Sequence, residues 1–220
     1  MGLPPLTQAE ATRVVAAAAF VVNIKDPNSW DAGAMGKVDR IVNHWAATPY
    51  FFETPKYHFI VVKEPKSGQF QIRQGLSYKH RGEHTWRRNT GALGVSMACM
   101  GEDKDANGRV VTRYSPLREM VILQAYTNAC LGGIFGLGLE GTVLKTDVKY
   151  DSRTGTLDST GKLVNVPVLV DHAIEAKRDG YFPERWDIGE YWDDMRQWTM
   201  FFRQWITSGS ISNILASKIV

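Results

Sequence analysis

The sequence is short of several things. It has two cysteines in 220 residues, Cys99 and Cys130, with no C-x-x-C spacing. That excludes a disulfide framework and a cysteine-rich metal knot, and the pair reads as two buried thiols. It has no long hydrophobic run. The longest apolar stretch, Val14 to Val22, is nine residues, far short of the roughly 20 a spanning helix needs. The same stretch lacks the basic lead of a signal peptide, because only Arg13 precedes it closely and Glu10 stands nearby. There is no internal repeat and no low-complexity run. Charge of one sign is also scarce: 26 Lys and Arg against 23 Asp and Glu leave a net +3. A polyanionic partner (nucleic acid, anionic lipid or a cell-wall polymer) is allowed by that balance but not required.

What remains is ordinary globular material. The chain is 44% hydrophobic, 11% aromatic and 22% charged, enough to bury a core without disulfide or metal staples. Thr7-Gln8-Ala9-Glu10 reads as a capping box opening a helix that runs to about Val22. Arg40 to His44, Tyr57 to Val62, Gln69 to Arg73, Leu93 to Met97 and Val166 to Val170 read as strands, with a turn at Lys66-Ser67-Gly68. Gly94, inside a strand, points to a close backbone approach. Ser115-Pro116 resembles the start of a helix carrying Leu117, Val121 and Ala125. Gly132 to Gly161 reads as a long glycine-rich, polar stretch, and Trp192 to Ile206 as an aromatic-rich helix. Trp198, Phe201, Phe202 and Trp205 in that helix have the spacing of a core face. The whole predicts an α/β domain with a mixed central sheet flanked by helices.

Two patterns invite chemistry. Gly136-Leu137-Gly138-Leu139-Glu140-Gly141 fits G-x-G-x-x-G, but a helix precedes it and a strand follows, the reverse of the dinucleotide context, so it reads as a loop. The histidines are more informative. His44 and His172 each end a strand, and Asp187 lies on a loop shortly afterwards. A catalytic zinc takes three protein ligands and keeps one open position, and His with carboxylate is an acceptable set. Spacing alone does not choose between that and ordinary polar residues. His58 lies on the opposite strand face from Tyr57 and reads as a hydrogen-bonded core or surface residue; His80 reads as part of a basic loop.

Several segments, taken in order, resemble one family. Ile41-Val42-Asn43-His44-Trp45-Ala46-Ala47-Thr48, Tyr57-His58-Phe59-Ile60-Val61, His84-Thr85-Trp86-Arg87-Arg88-Asn89 with Gly94-Val95, Asp171-His172-Ala173 and Arg185-Trp186-Asp187 are similar to successive motifs of the type-2, zinc-dependent N-acetylmuramoyl-L-alanine amidases. These are relatives of the peptidoglycan recognition proteins and bacteriophage T7 lysozyme. The resemblance spans roughly residues 38 to 190. It implies a Zn2+ held by His44, His172 and Asp187, with Tyr57 and Arg185 as catalytic residues and His84 and Asn89 as substrate-binding residues. It implies bacterial peptidoglycan as substrate, cleaved between N-acetylmuramic acid and L-alanine, and no nucleic-acid partner. It also implies an N-terminal helical extension at 1–35, a catalytic domain at 36–210 and a tail at 211–220. The lack of a signal peptide and of an appended wall-binding module suggests a phage endolysin, held in the host cytoplasm until release to the wall and weakly attracted to an anionic envelope. The alternative is a non-catalytic peptidoglycan-binding protein on the same fold.

Three features depart from the family pattern. Arg185 stands where Lys is commoner, and a guanidinium stabilises charge but does not give up a proton near neutral pH. The strand from Gly94 to Met97 lacks the Glu that serves some relatives as general base, leaving Tyr57 as the first candidate and an acidic residue elsewhere as the alternative. The stretch from Lys145 to Gly161 is longer than the family pattern and reads as an insertion.

Overall fold

A computed structural model describes residues 2–24, 33–85, 87–99, 103–104, 107, 110–111, 114–181 and 188–220. Arg185 and Asp187, expected in the site, lie outside the described residues, as does most of the charged loop at 101–108.

A six-stranded sheet organises the chain in the order β1-β4-β3-β5-β2-β10. Its strands are β1 (Ala19–Val22), β2 (Arg40–Trp45), β3 (Phe59–Lys63), β4 (Phe70–Gln74), β5 (Ala92–Met97) and β10 (Leu169–Asp171). Every pairing is parallel except β3 with β4, the tight hairpin through Gly68, whose φ of 71° needs no Cβ. The sheet is therefore mixed and mostly parallel, with helices α1 (Gln8–Ala17), α2 (Arg118–Ile134), α3 (His172–Asp179) and α4 (Trp192–Thr207) around it. β6 (Asp103–Lys104) and β7 (Val110–Val111) form a minor antiparallel pair.

Strand β2 shows how the two faces differ. All its residues but Trp45 are buried, and their side chains alternate between faces. Ile41 joins the main core with Leu93, Leu169 and the buried side of α2. Val42 joins a separate small cluster with Ala92 and Val170 on the other face. α2 is buried along most of its 17 residues, because α4 and the sheet cover it from two sides. Trp198 and Phe202 of α4 are core residues, as their spacing predicts.

Four local expectations change. α1 is capped by the Thr7 hydroxyl, which accepts from the Glu10 N–H, but it stops at Ala17. Phe20, Val21 and Val22 then extend and pair with β4, the preference of aromatic and β-branched side chains. Helix α2 begins at Arg118, two residues beyond the Ser-Pro signal, with no side-chain cap. The polar stretch from 132 to 161 is largely regular, since α2 runs to Ile134 and a long hairpin follows. That hairpin pairs β8 (Thr142–Asp151) with β9 (Thr156–Pro167) and takes up the 145–161 stretch. Pro167, which has no N–H to donate, ends β9, so the apolar run from Val166 to Val170 is split between two sheets.

The chain ends pack into the main body. Leu6, Ala11, Val14 and Val15 share the core with Ile211 and Leu215, and the Val220 carbonyl accepts from the Gln74 side chain at 2.6 Å. Described residues of both the 1–35 segment and the 211–220 tail thus contribute side chains to the core.

Candidate functional site

Strand register brings the first two residues together. β10 lies parallel beside β2 with Val170 opposite Val42 and Asp171 opposite Asn43. His172 therefore emerges next to His44, at the carboxyl ends of two adjacent parallel strands, where open α/β sheets place their ligands. The imidazole centroids are 4.6 Å apart and the rings inclined at 59°. His172 opens α3 rather than ending the strand. The Asp171 carboxylate caps that helix, accepting from the Ala173 N–H at 2.5 Å and the Ile174 N–H at 3.4 Å.

Tyr57 enters just before β3, half-buried, its ring 5.0 Å from His44 and 6.3 Å from His84. His84 reaches the same place from the 82–91 loop and is only 7% exposed. Two glycines make room for its ring. A Cβ on Gly94 would lie 2.6 Å from His84 Cδ2, and one on Gly82 would lie 2.8 Å from the same atom. The close approach read from Gly94 is thus to an imidazole.

The protons in this cluster follow from the acceptors. His84 Nε2 lies 3.2 Å from the Ala92 carbonyl, which can only accept, so that nitrogen carries the proton and donates. Its Nδ1 then accepts, from the Thr85 hydroxyl at 3.0 Å and from His44 Nε2–H at 3.2 Å. Burial, with His44 and His58 nearby, holds the His84 pKa well below the usual histidine value. His58 is a structural residue. Its Nδ1 accepts from the Gly94 N–H at 2.9 Å, its Nε2–H donates to the His80 carbonyl at 2.8 Å, and burial pushes its pKa down to about 4.

Asn89 is half-buried, and its side-chain oxygen accepts from the Thr85 N–H at 2.7 Å and the His84 N–H at 3.3 Å. It pins the loop that carries His84. In this geometry His84, expected with Asn89 to contact substrate, touches His44, and Asn89 holds the loop that carries it. The sequence reading missed Tyr181, whose hydroxyl lies 3.2 Å from His172 Nε2.

The comparisons bear on the fold. A solved structure of Staphylococcus aureus hydrolase AmiA in complex with its ligand superposes with a TM-score of 0.50 at 13% identity, covering 88% of this chain and 87% of that one. The likeness is one of fold: a mixed, mostly parallel sheet flanked by helices. No family model matches the sequence, and no curated protein matches it either.

The donors fit a zinc in part. Among the described residues, no three His, Cys, Asp or Glu side chains are grouped to hold a metal ion; the third expected donor, Asp187, is not among them. A tetrahedral zinc with Zn–N of about 2.0–2.1 Å sets two ligand nitrogens roughly 3.3 Å apart. Imidazole centroids 4.6 Å apart, on residues fixed by adjacent parallel strands, suit that spacing.

Proposed function

We propose that the protein is a zinc-dependent N-acetylmuramoyl-L-alanine amidase acting on peptidoglycan, in the manner of a phage endolysin. The observation that carries the reading is the convergence of His44, Tyr57, His84 and His172 from four separate segments onto one spot at the ends of parallel strands. Those segments are four of the five that resemble the amidase motifs, and the fifth supplies Asp187 and Arg185.

In this reading His44, His172 and Asp187 would hold the zinc, whose chemistry when bound would be to acidify a water and polarise the scissile carbonyl. The rest of the work falls to the chain. Tyr57 places a phenol next to His44, where it can donate to the oxygen that gains charge as the amide carbon becomes tetrahedral. Arg185 adds a permanent positive charge for that oxygen and leaves proton transfer to other groups. His84, held without charge near neutral pH, adds no repulsion to a dication. His44 and His172 are both buried, which limits the water that reaches them.

The test is hydrolysis of purified peptidoglycan, followed by turbidity and by chemical detection of new ends. An amidase releases free L-alanine amino groups without new reducing sugars, and a chelator stops it until zinc is restored. Lysis unchanged after rigorous zinc removal sinks the metal mechanism. New reducing ends would make the protein a glycosidase instead. Binding without any hydrolysis would favour the non-catalytic alternative.

A further inference from the structure

We propose that Tyr181 is a positioning residue for His172, holding its imidazole by Nε2 so that Nδ1 is the nitrogen offered to a divalent metal. The inference rests on the zinc reading above and adds to it a residue that no motif marks.

The geometry begins with the short helix α3. His172 is its first residue, and Gly180 ends it in the left-handed region with φ of 82°. The Tyr181 N–H donates back to the Ala176 carbonyl at 3.1 Å and the Gly180 N–H to the Lys177 carbonyl at 3.3 Å, which is the Schellman closure. The closure turns Tyr181 back under the helix, 2% exposed, where its ring packs with Val148, Leu157 and Ala176. The hydroxyl then lies 3.2 Å from His172 Nε2. A neutral imidazole ligates through one nitrogen and carries its proton on the other, and a partner on the protonated nitrogen fixes which is which. With Tyr181 accepting from Nε2–H, His172 ligates through Nδ1.

The second ligand is arranged the same way. His44 donates from Nε2–H to His84 Nδ1, whose acceptor role is fixed by the Ala92 carbonyl on its other nitrogen. Both histidines are thus held at Nε2 by an aromatic side chain that is itself locked, one by a helix closure and one by two glycines. Tyr181 is the cleaner residue to test, because removing its hydroxyl leaves the ring and its packing in place.

The experiment uses the full chain labelled with 15N-histidine. In the zinc-loaded wild type, long-range proton–nitrogen spectra should show His172 and His44 protonated on Nε2 and coordinated through Nδ1. Tyr181→Phe should keep its circular dichroism, bind zinc about 10- to 100-fold more weakly in competition with a chromophoric chelator, and regain its kcat when zinc is saturating. A proton on His172 Nδ1 in the wild type overturns the inference without any variant. Zinc affinity in Tyr181→Phe within twofold of the wild type overturns it as well. A wild type that binds no zinc removes the amidase reading itself, and that result is seen before the variant is measured.

Discussion

The two histidines at the centre of the site are supported in opposite ways. Behind His44, the neighbouring residue Asn43 faces α2, and its side-chain oxygen accepts from Gln124 at 2.9 Å and Asn128 at 2.8 Å. Gln124 also donates to the Val95 carbonyl at 3.0 Å, tying β2 and β5 to the same helix. This support is buried, amide-based and neutral. Behind His172, α3 is anchored by ions. Glu175 takes a bidentate grip from Arg40 at 2.7 and 2.9 Å, and Asp179 takes one from Arg88 at 2.8 and 2.7 Å. Arg178 reaches Glu175 at 3.0 Å, and Arg88 also donates to the Thr146 carbonyl, so the hairpin is tied in. Buried amides carry no net charge, so an imperfectly paired one costs less than an unpaired ion. Buried ions form a good support only while every partner is present, because each charge taken from water costs several kcal/mol that its neighbours must offset. The sheet side should therefore degrade gradually, and the helix side should fail abruptly.

The largest effects belong to the proposed ligands. His172→Ala and Asp187→Ala should each abolish zinc retention, since a three-ligand site loses a third of its donors. Stoichiometric zinc in both purified variants would show the assignment to be wrong. Arg185→Ala should keep the metal and lower turnover roughly 10²-fold, the loss typical of one oxyanion donor.

Next comes the ionic support. Glu175→Gln leaves Arg40, Arg88 and Arg178 around a single carboxylate, with Arg40 wholly buried. Urea denaturation should show a loss of about 3–5 kcal/mol. Zinc affinity should weaken with it, because α3 carries His172. A loss below about 1 kcal/mol would mean that the helix side is as forgiving as the sheet side.

Acid separates the two sides by another route. His58 is fully buried with its pKa pushed down to about 4, and His84 is shifted in the same direction. In the unfolded chain both take up protons near the ordinary value of 6.5, so below that pH the unfolded state binds more protons and stability falls. The cost is absent above about pH 6.5 and accumulates as pH drops towards 4, reaching about 3 kcal/mol for His58 alone. Urea midpoints of the zinc-free protein should decline through that window. A flat profile between pH 7 and 4.5 would contradict neutral burial of these rings.

How much of this was legible beforehand follows from the same chemistry. β3 and β5 are runs of mainly apolar residues buried on both faces, and such runs stand out in a sequence. Helix α4 announced itself by aromatic spacing, and Gly94 by being a glycine in a strand. His44 and His172 stand out as strand-end histidines, Tyr57 and His84 rest on the resemblance, and the structure brings those four together. The β8–β9 hairpin was hidden because one of its faces is solvated, with Leu144 and Leu163 exposed among Thr, Lys, Asp and Ser. The ionic support was hidden for a different reason. Arg40 and Glu175 are 135 residues apart and Arg88 and Asp179 are 91 apart, and charged residues on a short helix read as a solvated face. Tyr181 owes its place to the closure of α3, which no local pattern near His172 foretells.

The smallest effect tests the forgiving half. Asn128→Ala removes one of two donors to the Asn43 oxygen, while Gln124 remains at 2.9 Å. It also removes the Asn128 side-chain oxygen, a buried acceptor with no partner among the described residues. One lost hydrogen bond and one relieved orphan act in opposite directions, so the net cost should stay below about 1 kcal/mol. The strand is still pinned to α2 through Gln124 and to β10 through the Asn43 amide, which donates to the Val170 carbonyl at 3.3 Å. His44 should therefore keep its position, and zinc affinity should stay within about twofold of the wild type, a change of some 0.4 kcal/mol. Measured alongside Glu175→Gln under the same urea titration, the pair isolates the nature of the support. If Asn128→Ala costs as much as Glu175→Gln, burial and not charge determines how the site fails.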